Sequence, residues 1–565
     1  MANVGVKSRE PTASNHGFSI DRWFDRYSDW MIGLLVILFI VSGVTTLHNY
    51  GVAWDEGLGN LFFGEKNLRF LTSFDPRNLN SKIDLTKSIP VDLNLNLSPW
   101  RQEPFSFPAL TDVPPTITKY IFSYWLKWLT PIDGFHIYSI LVAGLFLWFL
   151  YRFAAARLGK FAAFLALLFL ATFPRFWGDM HFNVKDVPET VFFGLTLMAY
   201  LAWYESPGWK RALLAGVLMG IAVGVKANGI FLPILLLAAI APWNVKKQSW
   251  LEFFGHFRKY FLQYAIMVVS SVGVFILSWP FLYPNLYIGL KTYWGGNFRV
   301  GTGGGTHWQL GPLRQVVTTM PELMLVCLAI GLVLVVVRLM RGSTPFWKLL
   351  AVWLVLPILQ VSVPTAVNFD GIRHFLEFVP AAALIAAYGL DRLIRWVAGR
   401  RWLPQWSVRL TALVLLGVNL VQIYATYYPN LHLYYNEFTG GLAGARGCFL
   451  GGEATDYWAV TYRPGMDWLD RNAPPDSKLV VLMAPWVADL EAPVFLRSDI
   501  QLVHGMPDGP EMNASKQPYY IMFILRAGLG NAEDEVVYAQ KHGQLAYQIF
   551  VDGVPVLHIY KFGGN

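Results

Sequence analysis

The sequence predicts an α-helical polytopic membrane protein of about 11 transmembrane helices, taking about 20 residues per span. It adds an interfacial helix in the first outer loop and a small C-terminal α/β domain on the outer face. Three observations predict this. Hydrophobic residues make up 55% of the 565 and charged residues only 15%, against about 25% charged in an ordinary soluble domain. Apolar stretches of spanning length recur along the chain. Lys and Arg alternate between abundant and sparse from one connecting segment to the next. With 23 Trp, 26 Tyr and 40 Phe, the chain carries more apolar surface than a soluble fold could hide. Disordered, collagen-like and disulfide-scaffold classes are excluded.

The net charge of +8 fits basic cytoplasmic loops that hold orientation. No basic run with interleaved aromatics suggests nucleic acid as a partner. Cys327 lies in an apolar run and Cys448 in the polar C-terminal region, so no bridge between them is expected.

Residues 1–30 are polar, too long for the n-region of a cleavable signal, and read as a cytoplasmic N-terminus. The apolar stretches follow near 31–48, 134–152, 161–177, 187–204, 211–226, 228–243, 262–283, 321–338, 347–364, 373–391 and 409–428. The pair of runs flanking Lys226 also reads as re-entrant. With the N-terminus inside, the inner segments hold Arg152, Arg157, Lys160, Lys246, Lys247, Arg338, Arg341, Arg400 and Arg401, among others. The short outer loops hold only Arg175, Lys185, Lys226, Lys291, Arg299, Arg314 and Arg373. An odd number of spans puts the C-terminus outside. The expected organisation is 1–30 cytoplasmic, 31–429 transmembrane domain and 430–565 outer-face α/β domain.

Two outer segments are long. Loop 49–133 contains Pro114–Pro115 and then an aromatic stretch, Ile117–Leu129, that reads as a helix on the membrane surface. The tail carries strand-like runs at Leu479–Met483, Tyr519–Leu525, Glu535–Tyr538 and Leu545–Tyr560, with turns between them. No internal repeat or low-complexity segment stands out.

Charged residues in or beside spans are costly and so are functional candidates. They concentrate on one side: Asp55 and Glu56 after the first span; Asp179, His181, Lys185 and Asp186 after the third; Lys226; and Asp370, Arg373 and His374 before the tenth. No span carries a charge at its middle, which suits an interfacial site better than a path through the membrane. Asp55 reads as a general base, a metal ligand or a helix cap. Lys185 suits a phosphate as a point charge, and Arg373 suits bidentate phosphate recognition or snorkelling to head groups. Asp186 before Val187-Pro188 is also a natural helix start. His181 with Asp179 could bind a metal, but two ligands do not make a site. The glycine-rich segment 293–308 lacks the Gly-Lys-Ser/Thr ending of a phosphate-binding loop. It reads as a lid whose His307 and Trp308 contact a sugar, or as a plain connector. Glu437 and Asp456 follow the last span closely, and either reach the site or pack the tail onto the membrane domain.

Four passages together carry a family likeness. They are Trp54-Asp-Glu56; Pro174-Arg-Phe-Trp-Gly178 with Asn183-Val-Lys-Asp-Val-Pro188; Gly371-Ile-Arg-His-Phe-Leu376 leading into Pro380; and Tyr434-Tyr-Asn-Glu-Phe438 with Thr455-Asp-Tyr-Trp458. In their order and with fitting topology, these passages make the chain resemble the polyprenyl-phosphate-sugar-dependent glycosyltransferases of the C fold class. That class includes the protein O-mannosyltransferases and the bacterial aminoarabinose transferases. Asn183-Val-Lys departs from the commoner Asn-Pro-Lys.

The resemblance implies inverting transfer of a sugar from undecaprenyl or dolichyl phosphate to an acceptor hydroxyl of a lipid, glycan or protein on the outer face. It implies Asp55 as base, with Glu56 orienting the acceptor or supporting Asp55. The leaving phosphate would be held by Arg373 and Lys185, with His374 and Lys226 as further candidates. Asp179, Asp186, His181, His307, Trp308, Glu437 and Asp456 are the substrate-binding candidates. No cofactor is required; some members carry a divalent metal near the site, and this sequence does not compel one. The expected setting is a bacterial plasma membrane, with membrane lipids as the remaining partners. A transporter or flippase for a lipid-linked or anionic solute is the alternative, although such proteins usually show repeats and midplane charges.

Overall fold

A computed structural model describes residues 20–564, except 81–83, 86–91, 94, 96–107, 244–245, 302–304, 343, 401–403, 449–453 and 527–531. Most of the expected cytoplasmic N-terminus therefore lies outside the described residues, as does the middle of the glycine-rich segment.

The chain is mostly helical. In order, its helices are α1 Ile20–Thr46, α2 Leu61–Ser73, α3 Ala109–Lys119, α4 Pro131–Leu158, α5 Lys160–Ala171, α6 Pro174–Asp179, α7 Asp186–Glu205, α8 Trp209–Val225, α9 Leu232–Ile240, α10 Lys247–Lys259 and α11 Phe261–Ser278. There follow α12 Leu286–Gly301, α13 Gly311–Thr319, α14 Glu322–Met340, α15 Pro345–Gln360, α16 Val379–Ala398, α17 Gln405–Tyr427, α18 Gly441–Cys448, α19 Tyr462–Asn472, α20 Pro485–Phe495, α21 Gly509–Ala514 and α22 Glu533–His542. Each of the eleven apolar stretches is helical over most of its length, although 161–177 breaks at Thr172–Phe173 between α5 and α6 and 347–364 leaves the helix after Gln360. Among the described residues, five stretches are long and apolar enough to cross a membrane: Arg26–Asn49, Pro131–Leu158, Phe261–Ser278, Glu322–Met340 and Gln405–Tyr427. Lys160–Ala171, Ala227–Ile240 and Pro345–Gln360 are shorter apolar helices.

Helix packing is close where side chains are small, the arrangement favoured when lipid rather than water surrounds a bundle. At Gly331 of α14, an added Cβ would meet the Ile385 carbonyl oxygen of α16 at 2.1 Å. Gly389 of α16 faces the Cys327 carbonyl in the same way, at 2.4 Å. The alanine-rich start of α16 is fully buried between α5, α14 and α15. By contrast α17 exposes Leu410, Val414, Leu415, Val418 and Val421, the apolar face of a peripheral helix.

Two expected elements differ. The helix of the first long loop starts at Ala109, before Pro114–Pro115 rather than after them, and runs through a π-helical segment to Trp125. Its packing against α2, α4 and α8 outweighs the helix-breaking tendency of the prolines. Asn60 donates to buried Asp112 at 2.6 Å, and Thr111 to the Val225 carbonyl at 2.6 Å. The exposed Trp125 and Trp128 follow at its end.

The second difference lies in the tail, where Glu535–Tyr538 is helical, inside α22, with an acidic first turn and Lys541 and His542 in the last, as the helix dipole favours. Among the described residues the strands are β1 Lys478–Val481, β2 Gln501–Val503, β3 Tyr519–Ile524, β4 Gln544–Val551 and β5 Val554–Phe562, in the order β2-β1-β3-β5-β4. Strand β1 is parallel to β2 and β3, while β5 is antiparallel to β3 and β4. The run Leu545–Tyr560 splits into a hairpin at Asp552-Gly553, both at positive φ (48° and 71°), as a two-residue hairpin turn demands. The hairpin tip docks on the membrane domain: Asp552 accepts from the Tyr427 hydroxyl at 2.9 Å and from the Leu442 amide at 2.7 Å.

Candidate active site

Four chain segments bring their charges to one end of the helical body. The first follows α1. Its backbone at Gly51 and Trp54 donates to the Val460 and Trp458 carbonyls of the tail (3.1 and 2.9 Å), and the chain turns helical at Trp54–Asp55. Asp55 makes no capping bond. The second is the tight loop between α6 and α7. Asn183 holds it, its amide oxygen accepting from the Lys185 and Asp186 amides (3.1 and 2.7 Å) and its amide nitrogen donating to Asp186 at 2.9 Å. The third is Lys226, where α8 ends and the backbone becomes extended. The fourth is Asp370–Arg373. Asp370 and Gly371 both sit at positive φ (58° and 73°), and a Cβ at Gly371 would lie 2.6 Å from an Arg175 nitrogen. Glycine there lets the turn close over Arg175.

The side chains form a chain of ion pairs. Asp55 meets Lys185 Nζ at 2.8 Å and Arg373 Nη1 at 3.0 Å through the same oxygen. Arg373 reaches Asp370 at 3.2 Å, and Asp370 reaches Arg526 of the tail at 2.7 Å. Lys226 pairs with Asp186 at 2.8 Å and donates to the Arg373 carbonyl at 3.2 Å. Arg373 also lies 4.6 Å from the Trp458 ring centre. Burial alone would raise the Asp55 carboxyl. The Lys185 ammonium and the Arg373 guanidinium outweigh it and hold the group well below the usual carboxylate range. Asp55 and Lys185 are the open members, at 22% and 20% side-chain exposure, while Arg373 is at 7% and Asp186 at 1%.

The other predicted residues fall in different surroundings. Glu56 is buried and accepts from its own loop at Ala53 (2.9 Å) and pairs with His136 at 2.9 Å. Asp179 is buried, and burial pushes its carboxyl up to about 8 despite Arg175 nearby. His181 has both ring nitrogens committed, to Thr46 Oγ1 and the Trp177 carbonyl (2.8 Å each), and stacks on Tyr50. His374 packs edge-on against Phe369, 4.6 Å between ring centres.

Asp456 is buried within its own turn, accepting from the amides of Trp458 and Thr461 (3.1 and 2.9 Å). Glu437, His307 and Trp308 are exposed, and among the described residues none of the three bonds to Asp55, Lys185 or Arg373. Nor, among the described residues, does any group of three or more His, Cys, Asp or Glu side chains gather in a form that would hold a metal ion.

Sequence reading gave no site role to four residues. Arg526 is distant in the chain and follows strand β3 with no local signal. Trp54 and Trp458 line the same cluster as aromatic faces. Arg463 of α19 grips Asp133 through both nitrogens (2.5 and 3.1 Å) and the Tyr50 carbonyl at 3.1 Å, which fixes the tail to the loop that carries Asp55.

Residues 121–277 match the family model of dolichyl-phosphate-mannose-protein mannosyltransferases. No curated protein sequence matches the chain. Among solved structures, ArnT from Cupriavidus metallidurans bound to undecaprenyl phosphate is similar at 14% identity, covering 96% of this chain and 98% of that one, with a TM-score of 0.50. AglB from Archaeoglobus fulgidus, an archaeal oligosaccharyltransferase in complex with an inhibitory peptide and a dolichol-phosphate, is similar at 13% identity over 89% of this chain and 70% of that one, with a TM-score of 0.46. The chain shares the ArnT fold over nearly its whole length. The resemblance to polyprenyl-phosphate-sugar glycosyltransferases read from the sequence holds.

Proposed function

We propose that this protein is a membrane-embedded inverting glycosyltransferase. It moves a sugar from undecaprenyl or dolichyl phosphate to an acceptor hydroxyl at the outer membrane face. The observation that carries the reading is the contact of one partly open carboxylate, Asp55, with two cations, Lys185 and Arg373, at a single end of the helical body. The Lys and Arg asymmetry of the connecting loops supports placing that end outside.

In this reading the donor phosphate takes the two cations that Asp55 holds. Asp55, relieved of them, gains proton affinity and accepts the proton of the attacking acceptor hydroxyl. The acceptor oxygen bonds to the anomeric carbon from the face opposite the phosphate. The bond from that carbon to the phosphate oxygen breaks, and its electron pair leaves as polyprenyl phosphate. Fixed cations stabilise that growing charge because they need no reorganisation during the reaction. Lys226, paired to Asp186 and bonded to the Arg373 carbonyl, holds the backbone that carries the guanidinium. Glu56 supports Asp55 by pinning its loop to His136. The lipid chain would lie in a groove between spans, and a bacterial plasma membrane is the setting.

The test is release of polyprenyl phosphate from a panel of radiolabelled polyprenyl-phosphate sugars by the purified protein, with membrane lipids, glycans and peptides as acceptors. Release by the parent and none by Asp55→Asn supports the reading. No release from any donor, together with vesicle uptake of a lipid-linked or anionic solute, would replace it with transport.

A further inference from the structure

The ion pairs at the site form an alternating series of five groups: Lys185, Asp55, Arg373, Asp370 and Arg526. Three are cations and two are carboxylates, so the series carries one net positive charge. The last cation comes from the tail domain. Its Nη2 takes Asp370 Oδ1 at 2.7 Å, and its Nη1 donates to the Tyr457 carbonyl at 2.9 Å. Its guanidinium also lies 5.2 Å from the Trp54 ring centre, beside Asp55. Arg526 is thus anchored to two of the four segments that build the site and to the Tyr457 turn of the tail.

Asp370 has two oxygens and two claimants. Arg526 occupies Oδ1, and Arg373 reaches only Oδ2, at the longer distance of 3.2 Å. Without Arg526, both oxygens would be open to a bidentate grip by Arg373, the favoured geometry for a guanidinium and a carboxylate. Arg373 would then be drawn from Asp55, and the series would carry no net charge for an anion.

We propose that Arg526 is a positioning residue for the donor phosphate: by satisfying Asp370, it leaves Arg373 directed at Asp55 and at the phosphate that replaces it. This rests on the function proposed above. It makes the tail domain part of the donor site rather than a separate acceptor module.

The experiment measures binding of undecaprenyl phosphate to the full-length purified parent, Arg526→Ala, Arg526→Lys and the double variant Arg526→Ala/Asp370→Asn, with thermal unfolding of each. The Ala variant is expected to bind about tenfold more weakly, the size of one lost hydrogen bond to a charged group. Arg526→Lys, which keeps the charge, should recover most of the affinity. The double variant should recover it as well, because removing the Asp370 charge removes the competitor for Arg373. A merely structural role predicts the reverse, with the double variant worse than the single. Parent-like binding by a folded Arg526→Ala protein, or a double variant weaker than the single, would overturn the proposal. A parent that binds no polyprenyl phosphate would instead overturn the proposed function.

Discussion

Asp55→Asn should abolish transfer and at the same time tighten binding of the product lipid. Asp55 occupies Lys185 and Arg373 at 2.8 and 3.0 Å, so it competes with any phosphate that seats there. A phosphate on the same two cations would lie on the order of 6 Å from the carboxylate. At an effective dielectric of ~20, two unit charges at that distance repel by about 3 kcal/mol. Solvent reaches Asp55, whose side chain is 22% exposed, and trims this figure. The net gain on neutralising the carboxylate is then about 10- to 100-fold in affinity. Asn keeps the shape and removes the charge. The assay is equilibrium binding of undecaprenyl phosphate to parent and variant in the same detergent, beside the radiolabel release assay. A variant that loses transfer but binds equally or more weakly would refute the competition between Asp55 and phosphate. A variant that still transfers would refute Asp55 as base.

Three further outcomes are expected. Arg463→Ala leaves Asp133 as an unpaired buried charge and should cost about 3–5 kcal/mol; unchanged thermal unfolding would show that apolar packing alone docks the tail. Asp179 is pushed up to about 8 by burial, so the folded chain holds a proton that the unfolded chain releases near pH 4. Its contribution to stability is therefore present at low pH and declines as pH rises toward about 8. Asp179→Asn, which mimics the neutral acid, should keep transfer at pH 7 and flatten the loss of melting temperature between pH 5 and 8; a variant as pH-sensitive as the parent would exclude Asp179 as the source. Lastly, Arg373→Lys cannot span Asp55 and Asp370 together and should weaken binding of undecaprenyl phosphate by about tenfold or more, which the same binding assay reads directly.

The helical body was legible because a span leaves a long local signature. Twenty apolar residues in a row have few places to go, and every such stretch is helical over most of its length here. The charged residues near helix ends were legible for a related reason: charge is expensive beside lipid, so each stands out against its neighbours. Local signals misled where packing outweighs them. Pro114–Pro115 hid the start of α3, and the apolar pair Val536–Val537 gave α22 a strand-like pattern despite its dipole-matched ends. Asp552-Gly553 was a turn signal overlooked inside an apparently continuous strand.

The sequence by itself determined that the chain is built for a membrane and that Asp55, Lys185 and Arg373 stand at ends of its helices. Only the tertiary structure decided that these three touch, that Glu56 faces His136 instead, and that Arg526 completes the series from the far end of the chain. Composition and hydropathy act through neighbours in sequence, whereas an ion pair between residues 318 positions apart exists only once the whole fold has closed around it.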